Sequence, residues 1–189
     1  MLGSLKTKIR IQSYLMKNLF NLGDLVDRTA DPSKLALVDL SRSGEPREYT
    51  HQNIDEMAMA VARGLDNLQL ESGDKIAILA ANSFEFLITY LGIMRAGMVA
   101  VPINHKFPME TIEFILSDAD CKLIFADDAR RHQIPVGYKF IVFDSNGSNE
   151  FCDFLDYGHY ETSRPADDEV AMFLYTSGST GRPKGVPLT

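Results

Sequence analysis

The chain has 189 residues, of which 45% are hydrophobic, so it can bury a core as one large domain or as a domain and a further piece. Its formal net charge of -7 excludes a general basic field that would attract nucleic acid, and any bound anion must be held by local contacts. Two isolated cysteines, and four histidines without metal-ligand spacing, indicate neither a disulfide framework nor a zinc site and fit a reducing cytoplasm.

The first 21 residues are interpreted as an N-terminal extension. Basic residues interrupt every apolar stretch there, so no secretory signal is predicted, and no later stretch approaches the roughly 20 apolar residues that cross a bilayer. We interpret the extension as a frayed or packed helix; the alternative is a basic segment that rests on a membrane surface. We therefore expect a cytoplasmic protein without a transmembrane segment, with peripheral membrane contact as the open alternative.

An amphipathic helix is predicted after Thr50, which can serve as its N-cap. Apolar residues recur there on one helical face, namely Ile54, Met57, Ala58, Val61, Ala62, Leu65 and Leu68. The apolar run KIAILAA follows, which is typical of a strand buried on both faces. A second helix over FEFLITYLGIMRAG is predicted to be capped by Asn82 or Ser83 and to end at Gly97, where positive φ is often needed.

The same alternation continues along the chain. MVAVPI is predicted to be a strand, METIEFILSDA a helix with Pro108 as its first residue, and CKLIFA and KFIVF further strands. Strands that alternate with helices indicate the α/β fold class, with a mainly parallel sheet flanked by helices. We therefore place the segments 76–80, 98–103, 121–125 and 139–143 in one sheet and leave its strand order open.

A loop of unusual composition follows the apolar run 170–175, which is predicted to be a strand. Gly178, Gly181 and Gly185 let the backbone turn tightly and approach a ligand closely. This composition favours a polyphosphate ligand, with a flexible turn between strands as the alternative. The loop is also rich in hydrogen-bond donors, which are four hydroxyl and two cationic side chains: Thr176, Ser177, Ser179, Thr180, Arg182 and Lys184.

Two familiar motifs do not fit this loop. A Walker A motif needs Gly-Lys followed by Ser or Thr, whereas Lys184 stands between Pro183 and Gly185. The nucleophile elbow needs the spacing G-x-S-x-G, whereas Ser179 lies between Gly178 and Thr180. The loop is therefore predicted to bind phosphate in another way.

The string YTSGSTGRPKG resembles the phosphate-loop signature YTSG[ST]TGxPKG of the adenylate-forming superfamily, which includes acyl-CoA and aryl-CoA synthetases, luciferases and peptide-synthetase adenylation domains. Three upstream segments resemble further family segments in the same order: EYTHQNIDEMAMAVARGL, SGDKIAILAANSFEFLITYLGIMRAG and MVAVPINHKFP. The resemblance covers about residues 22–189. Asn104 resembles the Asn common in acyl-CoA synthetases, and a turn-forming Asn is the alternative interpretation.

The resemblance implies an AMP-forming acid–thiol ligase. Such an enzyme joins a fatty or aryl carboxylic acid to the α-phosphate of ATP, releases pyrophosphate and passes the acyl group to coenzyme A. It further implies that Lys184 neutralises charge on departing pyrophosphate and that the Thr176 hydroxyl contacts Mg²⁺. The β- and γ-phosphates would be held, by positioning and electrostatics rather than covalent catalysis, by Thr176, Ser177, Gly178, Ser179, Thr180 and Gly181.

The polar segments and the resemblance together suggest how the chain divides. DSNGSNE is predicted to be a surface loop, and GHYETSRPADDE is an internal linker candidate whose acidic residues form a solvated turn rather than a paired-carboxylate site. We predict an extension over 1–21, an α/β subdomain over 22–166, and a strand with a phosphate-binding loop over 167–189 that begins the next, truncated part of the domain.

The family's other site segments lie beyond Thr189, so we expect an N-terminal fragment or truncated gene product that is inactive alone. The alternative is a non-catalytic product that serves as a binding or interaction module. A third hypothesis, a P-loop kinase or ATPase, is opposed by the failed Walker spacing.

Overall fold

The computed structural model describes residues 21–25, 31–41, 44–143, 150–176 and 182–189. The predicted N-terminal extension up to residue 20, residues 144–149 of the predicted surface loop and residues 177–181 lie outside these ranges.

The described strands are β1 (Leu35–Asp39), β2 (Arg47–Thr50), β3 (Lys75–Leu79), β4 (Val99–Pro102), β5 (Cys121–Asp127), β6 (Phe140–Phe143), β7 (Met172–Thr176) and β8 (Lys184–Leu188). The helices are α1 (His51–Asn67), α2 (Phe84–Arg95), α3 (Met109–Asp118) and α4 (Glu150–Phe154), with 3-10 turns at Leu22–Asp24 and Asp128–Gln133.

Six of these strands form one sheet in the order β6-β5-β3-β4-β7-β8. The first five are parallel, and β8 pairs antiparallel with β7. The predicted α/β class with a mainly parallel sheet is therefore confirmed, and the ends of each predicted strand shift by at most two residues. Strands β1 and β2, which were not predicted, pair antiparallel as a separate hairpin.

Alternate side chains of the central strand β3 enter two hydrophobic cores. Ile76 and Ile78 pack on one face with residues of α1, α2 and α4, and Ala77 and Leu79 pack on the other face with residues of α3. All four side chains are fully buried. A strand covered on both faces has no polar side, and this explains the continuous apolar run in its sequence.

The predicted helix caps are present. The Thr50 hydroxyl accepts from the Asn53 N–H at 3.2 Å, and the Asn53 side chain accepts from the Thr50 N–H at 3.0 Å, so α1 begins with a reciprocal cap. Ser83, one of the two predicted candidates, caps α2 by accepting from the Phe86 N–H at 3.2 Å. Gly97 has a φ of 72°, which confirms the predicted positive φ after this helix.

Three local predictions are wrong. Pro108 is the N-cap of α3 rather than its first helical residue, because its ψ of 152° is extended. Leu68 lies beyond the end of α1 and is 45% exposed, so it is not part of the buried face. Lys184 and Gly185, assigned to the loop, belong to β8 because their backbone pairs with β7.

The linker candidate, residues 158–169, contains no helix or strand. Hydrogen bonds connect it to α2 and to the 3-10 turn at Leu22–Asp24. The Ser163 N–H donates to the Arg95 carbonyl at 2.8 Å, and the Thr162 hydroxyl donates to the Asp24 carboxylate at 2.9 Å. Strand β7, which follows, pairs with β4 through Ala100 and Met172. The division of the chain between 166 and 167 stays a prediction.

Candidate functional site

The parallel strands bring their carboxyl ends to one edge of the sheet. Strand β4 lies on one side of β3, and β5, the next strand along the chain, lies on the other side. Ligands of open α/β sheets bind outside the carboxyl ends of the strands, at such a reversal of strand order. The carboxyl ends of β3, β4 and β7 therefore define the candidate site.

Two of the predicted phosphate-binding residues face each other across the β7–β8 hairpin. Thr176 ends β7, Lys184 begins β8, and the two are partners in the antiparallel register. Both side chains are exposed, and cross-strand partners project from the same face of a sheet. The hairpin thus places a hydroxyl and an ammonium group together. The other five predicted residues lie outside the described ranges, and their role stays a prediction: Ser177, Gly178, Ser179, Thr180 and Gly181.

Behind this pair, the next cross-strand pair joins an aromatic residue to a glycine. Tyr175 is the partner of Gly185, and a Cβ atom on Gly185 would lie 2.9 Å from Cζ of the Tyr175 ring. The Tyr175 hydroxyl donates to Oδ2 of Asp118 at 2.7 Å. Burial, together with this hydrogen bond and the Asp118 charge, raises the pKa of Tyr175, so the phenol stays protonated and donates at neutral pH.

The basic residues of the loop are in different environments. The Arg182 guanidinium lies over the Phe114 ring, 5.6 Å from its centroid, in a cation–π contact. Lys184 has no ion pair within the described parts of the chain. Its exposed ammonium group therefore remains available to an anionic ligand.

Asn104 follows β4 at the same edge and forms a turn. Its side-chain oxygen accepts from the Lys106 N–H at 3.0 Å, and its carbonyl accepts from the Phe107 N–H at 3.0 Å. These contacts are those of a turn-forming Asn, the alternative interpretation of this residue. Asn104 therefore does not by itself distinguish a CoA ligase from a peptide-synthetase domain.

Asp127, which was not predicted as a site residue, joins two loops at the carboxyl edge. As the last residue of β5, it accepts from the Ala81 N–H, beyond the end of β3, at 2.9 Å. It also accepts from Arg130 at 2.9 Å. Asp127 and Ala81 are 46 residues apart, and no local pattern marks the pair, so only the folded sheet reveals this contact.

A partly buried charged cluster joins the β1–β2 hairpin to the start of α2. Arg47 on β2 pairs with Asp39 on β1 and with Glu85 at the start of α2, the latter at 3.0 Å. Burial raises the pKa of Asp39, but hydrogen bonds from Ser41, the Phe84 N–H and Arg47 outweigh burial and lower it to about 2. The cluster thus fixes the β1–β2 hairpin against the first turn of α2.

Two cavities lie at the opposite, amino edge of the sheet. One, of about 310 Å³, is lined by residues that include Met94, Met98 and Ala171. The other, of about 440 Å³, lies beside Cys121, whose thiol pKa burial raises to about 12, so this thiol is unreactive. Neither cavity adjoins the Thr176–Lys184 pair.

The described residues form neither a metal centre nor a membrane span. Across the described ranges, no group of three or more His, Cys, Asp or Glu side chains is arranged to hold a metal ion. In the same ranges, every helix is too short or too polar to cross a bilayer.

Known proteins resemble this chain over most of its length. The family model "AMP-binding enzyme" matches residues 26–189. Oxalate–CoA ligase of Arabidopsis thaliana is 32% identical over 162 residues, which are 79% of this chain and 31% of the relative. One of the mycosubtilin synthase polypeptides of Bacillus subtilis is 34% identical over 142 residues, 75% of this chain and 5% of the relative.

A solved structure of a known protein also resembles this chain over most of its length. ATP-bound MatB from Rhodopseudomonas palustris superposes with a TM-score of 0.72 at 30% identity, covering 84% of this chain and 32% of that chain. This chain therefore spans about a third or less of the length of each of these proteins.

Proposed function

Because the chain belongs to the AMP-binding family of adenylate-forming enzymes, we propose that it supplies the ATP phosphate-binding part of a carboxylate–CoA ligase. The complete reaction has two steps. A fatty or aryl carboxylate attacks the α-phosphate of ATP, which gives acyl-AMP and pyrophosphate. The thiol of coenzyme A then attacks the acyl carbon, which gives the thioester and AMP.

One observation carries this proposal: Thr176 and Lys184 are cross-strand partners at the carboxyl edge of a parallel sheet. The edge is where α/β sheets bind nucleotides, and the pair offers one neutral donor and one positive charge. Both side chains are exposed, so a phosphate can reach them without displacing a core residue.

Lys184 has the clearest chemical role in the adenylation step. Negative charge builds up on pyrophosphate as its bond to the α-phosphorus breaks. An ammonium group held beside the leaving oxygens stabilises that charge more than it stabilises bound ATP, and this difference accelerates the step.

Thr176 fits the Mg²⁺ that accompanies ATP. Mg²⁺ binds oxygen ligands and usually keeps waters and phosphate oxygens around it, so an exposed hydroxyl would supply one of its protein ligands. When bound, the ion would neutralise phosphate charge. The Thr176 hydroxyl would also donate a hydrogen bond to a phosphate oxygen.

The choice of coenzyme A as acceptor is supported by one named relative. The plant relative is named a CoA ligase, whereas the bacterial relative, of similar identity, is named a mycosubtilin synthase. Asn104 resembles the acyl-CoA synthetase residue, but its turn contacts account for it equally well and leave the acceptor open. A fatty or aryl acid is the proposed substrate class.

A second candidate function is a phosphate-binding module without catalysis. It is favoured by the two hydrophobic cores, which cover β3 on both faces of the sheet. Acid-dependent ATP–pyrophosphate exchange, measured in the protein as it occurs in the cell, separates the two candidates. A ligase catalyses the exchange and a module does not.

The phosphate site itself is tested by titrating the purified chain with ATP, tripolyphosphate and AMP. We expect ATP and tripolyphosphate to bind with similar affinity, since the proposed contacts are to phosphates. AMP should bind about tenfold more weakly or worse, because a single charge-assisted hydrogen bond is worth about 1.5 to 3 kcal/mol. Equal binding of AMP and ATP, without competition by tripolyphosphate, would contradict the proposal.

A further inference from the structure

We infer that Asp118, at the end of α3, is a positioning residue for the phosphate site and acts through Tyr175. The inference rests on the proposed function, because it concerns how Thr176 and Lys184 are held. Asp118 lies 57 residues before Tyr175, and nothing in the loop signature marks it.

The Tyr175–Asp118 hydrogen bond connects the hairpin to a helix beneath it. The phenol donates to the exposed carboxylate at 2.7 Å, a short hydrogen bond to a charged acceptor. Asp118 is the last residue of α3, where the helix dipole disfavours a negative charge. The carboxylate therefore adds nothing to the stability of its own helix, and its described partner is the tyrosine.

The Tyr175 ring contacts β8 as well as Asp118. It packs against the backbone of Gly185, where a Cβ atom would lie 2.9 Å from Cζ and 3.1 Å from the hydroxyl oxygen. Glycine permits this close approach. Because Tyr175 adjoins Thr176 and Gly185 adjoins Lys184, fixing the ring fixes both members of the proposed phosphate pair.

The same helix contacts the hairpin at a second point. Phe114 lies four residues before Asp118, so the two side chains share one face of α3. The Arg182 guanidinium lies over the Phe114 ring. One helical face therefore contacts residues on both sides of 177–181, at Tyr175 and at Arg182.

The test is a titration of the 189-residue chain with tripolyphosphate, followed by the amide NMR signals of Thr176 and Lys184. We expect Asp118→Ala and Tyr175→Phe each to weaken binding about 3- to 10-fold, the range for one net hydrogen bond. Asp118→Asn should recover most of the affinity, since its amide oxygen still accepts from the phenol. The double variant should bind no more weakly than either single variant, because both changes remove the same bond.

Asp120→Asn is the matched control. Asp120 is exposed, lies two residues from Asp118 and pairs with Lys122 at 2.6 Å, away from the hairpin. Its φ of 55° is a conformation that Asn also tolerates, so the control should fold and bind as the unaltered chain does.

The possible results separate this inference from the proposed function. If the unaltered chain does not bind tripolyphosphate, the phosphate site itself is wrong and the inference falls with it. If Lys184→Ala weakens binding but Asp118→Ala does not, only the positioning role is overturned. Equal losses in Asp118→Ala and Asp118→Asn, or additive losses in the double variant, also overturn it. Amide spectra that match the unaltered chain away from the hairpin identify variants that fold.

Discussion

Arg95, at the end of α2, donates from Nη2 to Oδ1 of Asp55 on α1 at 2.7 Å, and the arginine side chain is fully buried. Its Nε also donates to the Gly23 carbonyl at 2.8 Å. A single guanidinium therefore joins two helices and the 3-10 turn at Leu22–Asp24 beneath the sheet. Arg95 and Asp55 are 40 residues apart in the chain.

Replacing this arginine should destabilise the fold strongly. Arg95→Ala removes one partner of a buried ion pair and leaves a cavity, which costs about 3 to 5 kcal/mol. Urea unfolding followed by circular dichroism measures the free energy of unfolding. Arg63→Ala is the matched control, because the Arg63–Asp156 pair is partly exposed and should contribute about 1 kcal/mol or less. If both variants lost similar amounts of unfolding free energy, burial would not be the reason that Arg95 stabilises the fold.

The free energy of unfolding should fall in acid as Asp39 becomes protonated. Its folded-state pKa of about 2 lies below the ordinary value of 3.8, so its contribution is fully present above about pH 4 and is lost as pH falls towards 2. The loss should be about 2 kcal/mol, at 1.36 kcal/mol for each pH unit of difference.

Unfolding in urea at several values between about pH 5 and pH 2 tests this prediction. Asp39→Asn should be less stable than the unaltered chain at the upper end of this range and should lose less stability on acidification. Parallel curves for the two proteins would mean that another carboxylate governs the acid sensitivity.

The purified chain should not catalyse acid-dependent ATP–pyrophosphate exchange by itself. It spans 31% of the plant oxalate–CoA ligase and 32% of the solved MatB chain, and the site that we propose contacts only phosphates. A phosphate site alone does not align a carboxylate with the α-phosphorus. Radiolabelled pyrophosphate incorporated into ATP above the level without acid would refute this expectation, whereas weak binding of polyphosphate would not.

The parts of the fold that could be predicted from the sequence depend on local pattern. The segment 76–79 of β3 is apolar throughout because it is covered on both faces. Thr50 and Ser83 mark helix starts because their hydroxyls accept from nearby backbone N–H groups. Strand β8 was missed because Gly and Pro in KGVPL are poor strand formers, and its formation depends on pairing with β7.

The supporting contacts of the site could not be predicted for a different reason. Asp118 and Tyr175 meet only when α3 packs against the sheet, and Asp127 meets Ala81 only when β3 and β5 pair. The loop signature identifies Thr176 and Lys184 as residues of interest. Their placement opposite each other follows from the hairpin register, which the signature does not contain.

The most direct test of the proposed site is Lys184→Ala in a protein that carries this chain as the first part of a complete adenylate-forming domain. If Lys184 binds departing pyrophosphate, the adenylation half-reaction should lose about 10- to 100-fold in kcat/KM for ATP, equivalent to about 1.5 to 3 kcal/mol. Lys122→Ala, which removes an exposed lysine at the amino edge of the sheet, serves as the control and should change neither half-reaction.

The deciding measurement compares adenylation with thiol transfer from presynthesised acyl-adenylate in the same Lys184→Ala protein. Pyrophosphate has left before thiol transfer begins, so we predict a large loss in the first half-reaction and little change in the second. Equal impairment of both half-reactions, or of neither, would contradict the account.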